Sequence, residues 1–520
     1  MKSLQLAVST AAALLVAPSL IIGLSTAPAM AQKSKDTLRI AINDPFSTLS
    51  NYCVPVDEAG NFYRRIYGTL VQIAEHEKKV VPGLAKSWTR VSPTVLEFDL
   101  RDDVTFHNGN KFDADDVIST LEYAIDPAVK VEFKSRYTWI KKVEKLGPYK
   151  VRLESHTPNA TDLGLLGYRT YIQDKESFDT LENKCDYGRL TPYGTAQYKV
   201  VSIDKNAGMV VERFDGVKGD PKYVRAPIKR LHAIPIPDKQ TQIANLMGGN
   251  VDMLRNVQPD NAADLAKNPD LAISTLPTAS FVYIVLDAAG RSGVKPLTDN
   301  RVRKAMWMGM NRDAIIKGLV PGGAQGIAEK MNMICFDSTI ACGRTVDYPP
   351  YDPAAAKKLL AEAGYPDGFS LTYSCFIPIR HICEAISNDL LKIGVKAQVE
   401  PVTITLFRKK QAAGELNMTS IFYPSAGHPD AGNILDVFFV GPRDYAQDPE
   451  MAKLVQAGLL EFDDAKRTAI YTKAMDLNNT KNYVMAFSSL PTLYVHSKDI
   501  EIKQNLLSAG DNYIDDYHWK

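Results

Sequence analysis

Between Val95 and Ala124 the chain runs through a half-buried strand, a tight turn and a capped helix in direct succession, which restricts the possible folds more than any other stretch. Leu96, Phe98 and Leu100 alternate with Glu97, Asp99 and Arg101, the period of a strand with one wet face. Asn108-Gly109 supplies a turn. Asp113 and Asp116 precede Val117, Ile118, Leu121 and Ala124, so Asp113 is placed to cap the free amides of a helix. The alternation recurs along the chain. Residues 37–42 read as a first strand and residues 58–71 as a helix with Phe62, Ile66 and Leu70 on one face. Residues 200–203 and 208–213 read as a hairpin around Asn206-Ala207-Gly208. Residues 239–247 read as a helix ended by Gly248-Gly249, with a short strand at 251–254. This pattern predicts an α/β fold.

Lys2 precedes a largely apolar stretch over residues 4–24, and Ala29-Met30-Ala31 then offers the small residues that signal peptidase accepts. Pro18, Gly23 and Pro28 interrupt the stretch, which favours a cleaved leader over residues 1–31 rather than a retained anchor. No cysteine stands at the cleavage point to take a lipid. Nothing later is apolar for long enough to span a bilayer, so a soluble protein of a bacterial periplasm is expected.

Six cysteines suit an oxidising compartment. Cys335 and Cys342 bracket a six-residue loop that a disulfide can staple. Cys375 and Cys383 flank the end of a strand and the first turns of a helix. Cys53 and Cys185 then remain to pair over a long range. No pair has the two-residue spacing of a zinc site and the histidines are scattered, so neither metal nor other cofactor is expected. Lys plus Arg number 61 against 60 Asp plus Glu, and removal of the leader with its one Lys balances them. Such balance, with no basic run, argues against nucleic acid as partner.

A mature length of roughly 490 residues implies about three domains, and a series of motifs says which kind. Residues 84–125 carry the strand, turn and capped helix. Thr191-Pro192-Tyr193-Gly194-Thr195-Ala196-Gln197-Tyr198 leads into a strand, and Gln242 to Asp252 forms a helix, a glycine pair and an Asp-containing strand. Asp299-Asn300-Arg301-Val302-Arg303-Lys304-Ala305 with Asn311-Arg312-Asp313-Ala314-Ile315 makes a helix pair. Tyr351-Asp352-Pro353-Ala354-Ala355-Ala356 with Ala363-Gly364-Tyr365 makes another. In this order, over nearly the whole mature chain, the motifs resemble the extracellular solute-binding proteins of the peptide, opine and nickel class, which feed ABC importers.

The resemblance implies a clamshell of two lobes joined by a hinge, with an accessory α/β domain. The first lobe is expected from residues 32–82, 193–290 and 490–520, the accessory domain from 83–192, and the second lobe from 291–489. A small-molecule solute would lie between the lobes, and the partners would be permease subunits in the inner membrane. A monomer is expected. In peptide-binding members, an acidic residue before a Tyr-Pro-Asp-like turn pairs with the peptide's amino terminus. The matching run here is Ser425-Ala426-Gly427-His428-Pro429-Asp430, with Gly427 where that carboxylate would be. A buried ammonium without an anion is costly by roughly several kcal/mol. The expected solute is therefore peptide-like or opine-like, a modified amino acid ahead of a sugar-like molecule, unless Asp430 takes the acid's place.

Other cleft candidates rest on position. Phe46, after the first strand, enters the cleft or packs as a loop aromatic. Tyr283 offers a hydroxyl to ligand or packs in a core. Arg380, beside His381, is either a two-armed carboxylate clamp or a solvated surface arginine. Tyr423, Ser425 and His428 adjoin Gly427 and would meet the same ligand end. Trp307 with Met306, Met308 and Met310 read as core. The fold leaves open an oligopeptide, a sugar or a metal complex as ligand, or a receptor or chaperone role. Enzyme classes find no support: there is no Gly-x-Ser-x-Gly, no His-Glu-x-x-His and no phosphate loop ending in Lys-Ser/Thr.

Overall fold

Leu38, Ile40 and Ile42 bury one side of Thr37–Ile42 and set it at the centre of a seven-stranded sheet. The structure, a computed structural model, describes residues 36–53, 59–74, 79–132, 134–220, 223–424, 430–504 and 514–520. The leader expected over residues 1–31 lies outside the described residues. Across the sheet the order is Leu271–Leu276, Thr492–Ser497, Met253–Leu254, Thr37–Ile42, Arg230–Pro235, Gly208–Arg213 and Tyr198–Asp204. Asp252 clamps the central strand, accepting from the Arg39 amide at 2.9 Å, Nε at 3.0 Å and Nη2 at 2.7 Å. The hairpin forms as expected. Asp204 accepts from the amides of Asn206 and Ala207, each at 2.8 Å, and Gly208 has φ 86°.

The helix expected over residues 58–71 is shorter, Gly60–Ile66. The Ile66 carbonyl accepts from the Ala196 amide at 3.1 Å, and a Cβ on Gly194 would stand 1.8 Å from that same carbonyl. The incoming Gly194 segment therefore takes the helix end. Leu70 joins a different core, and Val71–Ala74 becomes a strand paired with Lys79–Pro82.

A four-stranded antiparallel sheet follows, in the order Ala85–Ser92, Val95–Leu100, Lys150–Ser155 and Ile140–Gly147. Leu96, Phe98 and Leu100 are buried, as their alternation requires. The helix Ala114–Ile125 packs on this sheet. Asp113 accepts from the Asp115 amide at 2.7 Å, and Asp116 accepts from the Asp113 amide at 2.9 Å, a reciprocal cap.

The third sheet has five strands, in the order Val395–Val402, Phe369–Phe376, Met418–Pro424, Ser280–Leu286 and Val484–Ser489. Ser280–Leu286 is fully buried and hydrogen-bonded on both sides within this sheet, so the first-lobe segment expected to run to residue 290 ends before Ser280. Six of its residues face two cores, Phe281, Tyr283 and Val285 on one side and Val282, Ile284 and Leu286 on the other, which fixes the strand inside this sheet. Trp307, Met306 and Met310 lie in the second of these cores, where Trp307 packs on Tyr348 at 4.9 Å. Arg312 and Arg303, from the helix-pair motif, bond main-chain carbonyls: Arg312 those of Ala486 and Phe487, Arg303 those of Leu297 and Lys481. Disulfides join Cys53 to Cys185, Cys335 to Cys342 and Cys375 to Cys383, with Cα separations of 5.5, 6.2 and 6.3 Å.

Candidate ligand cleft

The chain passes between the seven- and five-stranded sheets twice, after Leu276 and again after Ser489. The two crossings lie side by side. Thr278 Oγ1 donates to the Leu490 carbonyl at 2.8 Å, and the Leu490 amide donates to the Ser280 carbonyl at 2.8 Å. Few residues connect two separately cored sheets, which is the construction of a hinge.

Immediately beyond the hinge, on one face of the five-stranded sheet, stands an aromatic wall. Tyr423 pairs across the ladder with Phe281, with ring centroids 5.4 Å apart. Phe438, on the helix Ala431–Phe439, packs on Tyr283 at 4.9 Å and on Tyr423 at 5.6 Å. Burial raises both tyrosines, Tyr283 to about 12, so each stays a neutral hydrogen-bonding group at physiological pH. Neither phenol hydroxyl has a hydrogen-bond partner among the described residues.

Two arginines border this wall. Arg408, on the helix Ile404–Ala413, bonds Gln411 Oε1 at 3.0 Å, and Arg443 lies on the short turn Gly441–Arg443 packed against that helix. Both side chains are exposed, yet partial desolvation lowers the Arg408 pKa. Arg443 lies within electrostatic reach of Arg408, Tyr283, Tyr423 and Asp436. Asp436 is likewise exposed and raised by desolvation, against the lowering effect of Arg443. Across the gap, on the helix Asp162–Arg169, Tyr168 is close enough to raise Tyr423 further. The guanidiniums of Arg169 and Arg136 lie 4.9 and 5.8 Å from the Tyr168 ring. Positively charged side chains thus stand on both sides of the tyrosines among the described residues.

Residues 79–446 match the bacterial extracellular solute-binding proteins, family 5. The chain belongs to this family. It is 28% identical over 400 residues to the glutathione-binding protein GsiB of Salmonella paratyphi A, covering 74% of this chain and 72% of that one. In fold it resembles the ABC transporter-associated periplasmic binding protein DppA from Helicobacter pylori in complex with the peptide STSA. There the TM-score is 0.74 at 22% identity, over 93% of this chain and 98% of that one. It also resembles AgaA from A. tumefaciens R10 in complex with agropinic acid, with a TM-score of 0.71 at 22% identity, over 93% and 99% of the two chains. Family 5 members are extracellular binding proteins that serve ABC transporters. Among the described residues no helix is long and apolar enough to cross a membrane.

Relative to this aromatic wall the expected site residues divide. Tyr283 and Tyr423 form the wall. Ser425, Gly427 and His428 lie outside the described residues. Phe46 is 7% exposed and packs on Phe62 at 5.9 Å in the core of the first lobe. Arg380 is bound to Glu384 at 2.7 Å on an exposed helix face, and His381 approaches the Leu319 carbonyl at 3.3 Å. Their helix, Arg380–Lys392, packs on the face of the sheet opposite Tyr283, so the structure does not bring them to the wall. Asp430 is buried and committed: it caps the helix Ala431–Phe439 and pairs with Arg467 at 2.9 Å. Its pKa rises to about 6 because burial outweighs the arginine. Arg408, Arg443 and Asp436 were not among the expected residues. A cavity of about 160 Å³ elsewhere, lined by Arg65, Tyr67, Gln197 and Asp515, belongs to the first lobe and its flank and touches no residue of the five-stranded sheet.

Proposed function

We propose that this protein captures a small anionic solute, peptide-like or opine-like, in the periplasm and delivers it to the permease of an ABC importer. The observation that carries the reading is the pairing of Arg408 and Arg443 beside Tyr283 and Tyr423, opposite Tyr168 and Arg169. Two guanidiniums within reach of one another raise each other's energy, and a carboxylate between them relieves that repulsion through short, charge-assisted bonds. Glutathione, named in the relatives, carries two carboxylates. The segment around Gly427 lacks the acid that holds a peptide's amino terminus, which disfavours generic oligopeptides.

A solute touching both walls binds the closed form better than the open one and shifts the hinge by that difference. Moving a hinge from mostly open to mostly closed takes about 5.5 kcal/mol of differential affinity, within the roughly 8 kcal/mol that a micromolar ligand supplies. No chemistry on the solute is needed, so the protein works as a binder and not as an enzyme. Mass spectrometry of the small molecules released on denaturing freshly purified protein tests the reading. One anionic solute near equimolar amount is expected, and a ladder of unmodified peptides overturns it.

A further inference from the structure

Among the described residues the accessory domain and the second lobe meet at a patch around Ala160 and Arg467. The Ala160 amide donates to the Leu459 carbonyl at 2.8 Å, and Arg467 Nη1 donates to the Ala160 carbonyl at 3.1 Å. Beside them Arg90, held by both oxygens of Asp162 at 2.9 and 2.7 Å, lays its guanidinium 4.3 Å from the ring of Phe462. The patch contains two main-chain contacts and one cation–aromatic contact and no shared apolar core, so it can part without unfolding either side.

Arg467 does more than touch Ala160. It is 5% exposed, and its other arm, Nη2, bonds Asp430 at 2.9 Å and Asp464 at 2.7 Å. Asp430 caps the helix Ala431–Phe439 by accepting from the Gly432 amide at 2.9 Å, and that helix carries Phe438, which packs on both wall tyrosines. One planar side chain thus spans from the accessory domain's main chain to the cap of the helix that backs the cleft. A lysine offers one point charge and cannot hold both ends with this fork geometry.

We infer that Arg467 is a positioning residue for solute capture, a latch that ties closure of the accessory domain onto the second lobe to the placement of the cleft's aromatic wall. The inference rests on the lobe closure proposed above and goes beyond it by naming the contact that holds the closed form. Opening about the hinge takes Ala160 away from Arg467 and leaves the arginine with Asp430 and Asp464 alone. The closed form therefore has an intrinsic population before any solute arrives, set by this patch.

The test needs no identified solute. All cysteines among the described residues are in disulfides, so spin labels on Thr157→Cys and Ala465→Cys report the distance across the patch by pulsed electron resonance in the solute-free full chain. A short-distance population is expected. Arg467→Lys should reduce it by roughly three- to tenfold, the equivalent of one net hydrogen bond. Phe462→Leu, which leaves the Arg467–Asp430 pair intact, should reduce it while the thermal midpoint stays near that of the parent. A short-distance population that neither variant moves overturns the latch and leaves closure standing. No short-distance population in the parent overturns both.

Discussion

Thr278 Oγ1 donates a 2.8 Å hydrogen bond to the carbonyl of Leu490, which fastens the outgoing and returning crossings of the hinge to each other. Thr278 is 4% exposed, so water cannot replace the lost partner freely. Thr278→Val keeps the shape and removes the donor, leaving a main-chain carbonyl short of a bond. Stability should fall by about 1–3 kcal/mol, read as a lower urea midpoint, and the solute-free protein should sample a wider range of lobe distances in X-ray scattering. An unchanged midpoint and profile would show that the crossings bend independently.

Arg408 and Arg443 carry the charge of the proposed site, and neither has a carboxylate hydrogen-bonded to it among the described residues. Arg408→Gln and Arg443→Gln should each weaken binding of the solute recovered from the native protein by about 1.5–3 kcal/mol, or roughly ten- to a hundredfold. Because the two guanidiniums repel one another, thermal stability without solute should hold or rise. Arg380→Gln, which breaks only an exposed pair with Glu384, should leave affinity alone. Calorimetry on the three variants separates these outcomes, and equal loss in Arg380→Gln would refute the placement of the site.

Much of the fold was legible because its signals are local. Asp113 announced itself as a cap by its spacing to Asp116 and the apolar residues that follow, and it caps its helix; Asp299, Asn311 and Asp352, inside the motif runs, cap theirs in the same way. Residues 280–286 are a run of apolar residues broken only by Ser280, but the sheet they join is not written in them, since a strand buried on both faces carries no record of its neighbours. Of the candidate cleft's surroundings only the aromatics were legible. Tyr283 and Tyr423 stand out against their strands, whereas Arg408 sits among Lys409 and Lys410 in an ordinary amphipathic helix. The difference between a fully solvated arginine and one beside buried tyrosines is tertiary. Arg380 looked better placed by sequence, at a helix start, and that helix packs behind the sheet. Asp430 was noticed for its charge, and its partner Arg467 lies too far along the chain for spacing to reveal.

Cys53 and Cys185 close a loop of sequence separation 132, the longest of the three bridges, between the segment after the first strand and the end of the accessory domain. On loop-closure grounds, removing it should cost about 3–5 kcal/mol, well above the cost for the bridges of separation 7 and 8. A Cys53→Ala/Cys185→Ala protein should therefore show a much larger drop in thermal midpoint than Cys335→Ala/Cys342→Ala. Similar drops in both would mean that the bridges act through native packing and not through the unfolded chain.

His107 ties the accessory domain to the approach of the first-lobe hairpin, and its protonation should weaken that tie. Nε2 lies 2.9 Å from the Ala196 carbonyl, and the Gly194 amide donates to Nδ1 at 3.2 Å, so the neutral ring carries its proton on Nε2. Burial pushes its pKa from 6.5 down to about 4, and a second proton would set N–H against the Gly194 N–H. The folded value lies below the unfolded one, so the unfolded chain takes the proton first. Stability from this group is whole above about pH 6.5 and falls by up to about 1.4 kcal/mol per pH unit on the way down to pH 4. The ring keeps a partly exposed edge, which holds the slope below that limit. Asp116, raised to about 7 by burial, works in the opposite sense, since its folded form holds the proton that the unfolded chain releases. The two contributions oppose each other over the same pH range, so the total curve does not isolate either. His107→Gln removes only one of them, so subtracting its urea midpoints from those of the parent between pH 7 and pH 4 should leave a curve that declines toward acid. A flat difference would mean that the buried imidazole already shares its charge with solvent, and that the tie between the domains does not depend on its neutrality.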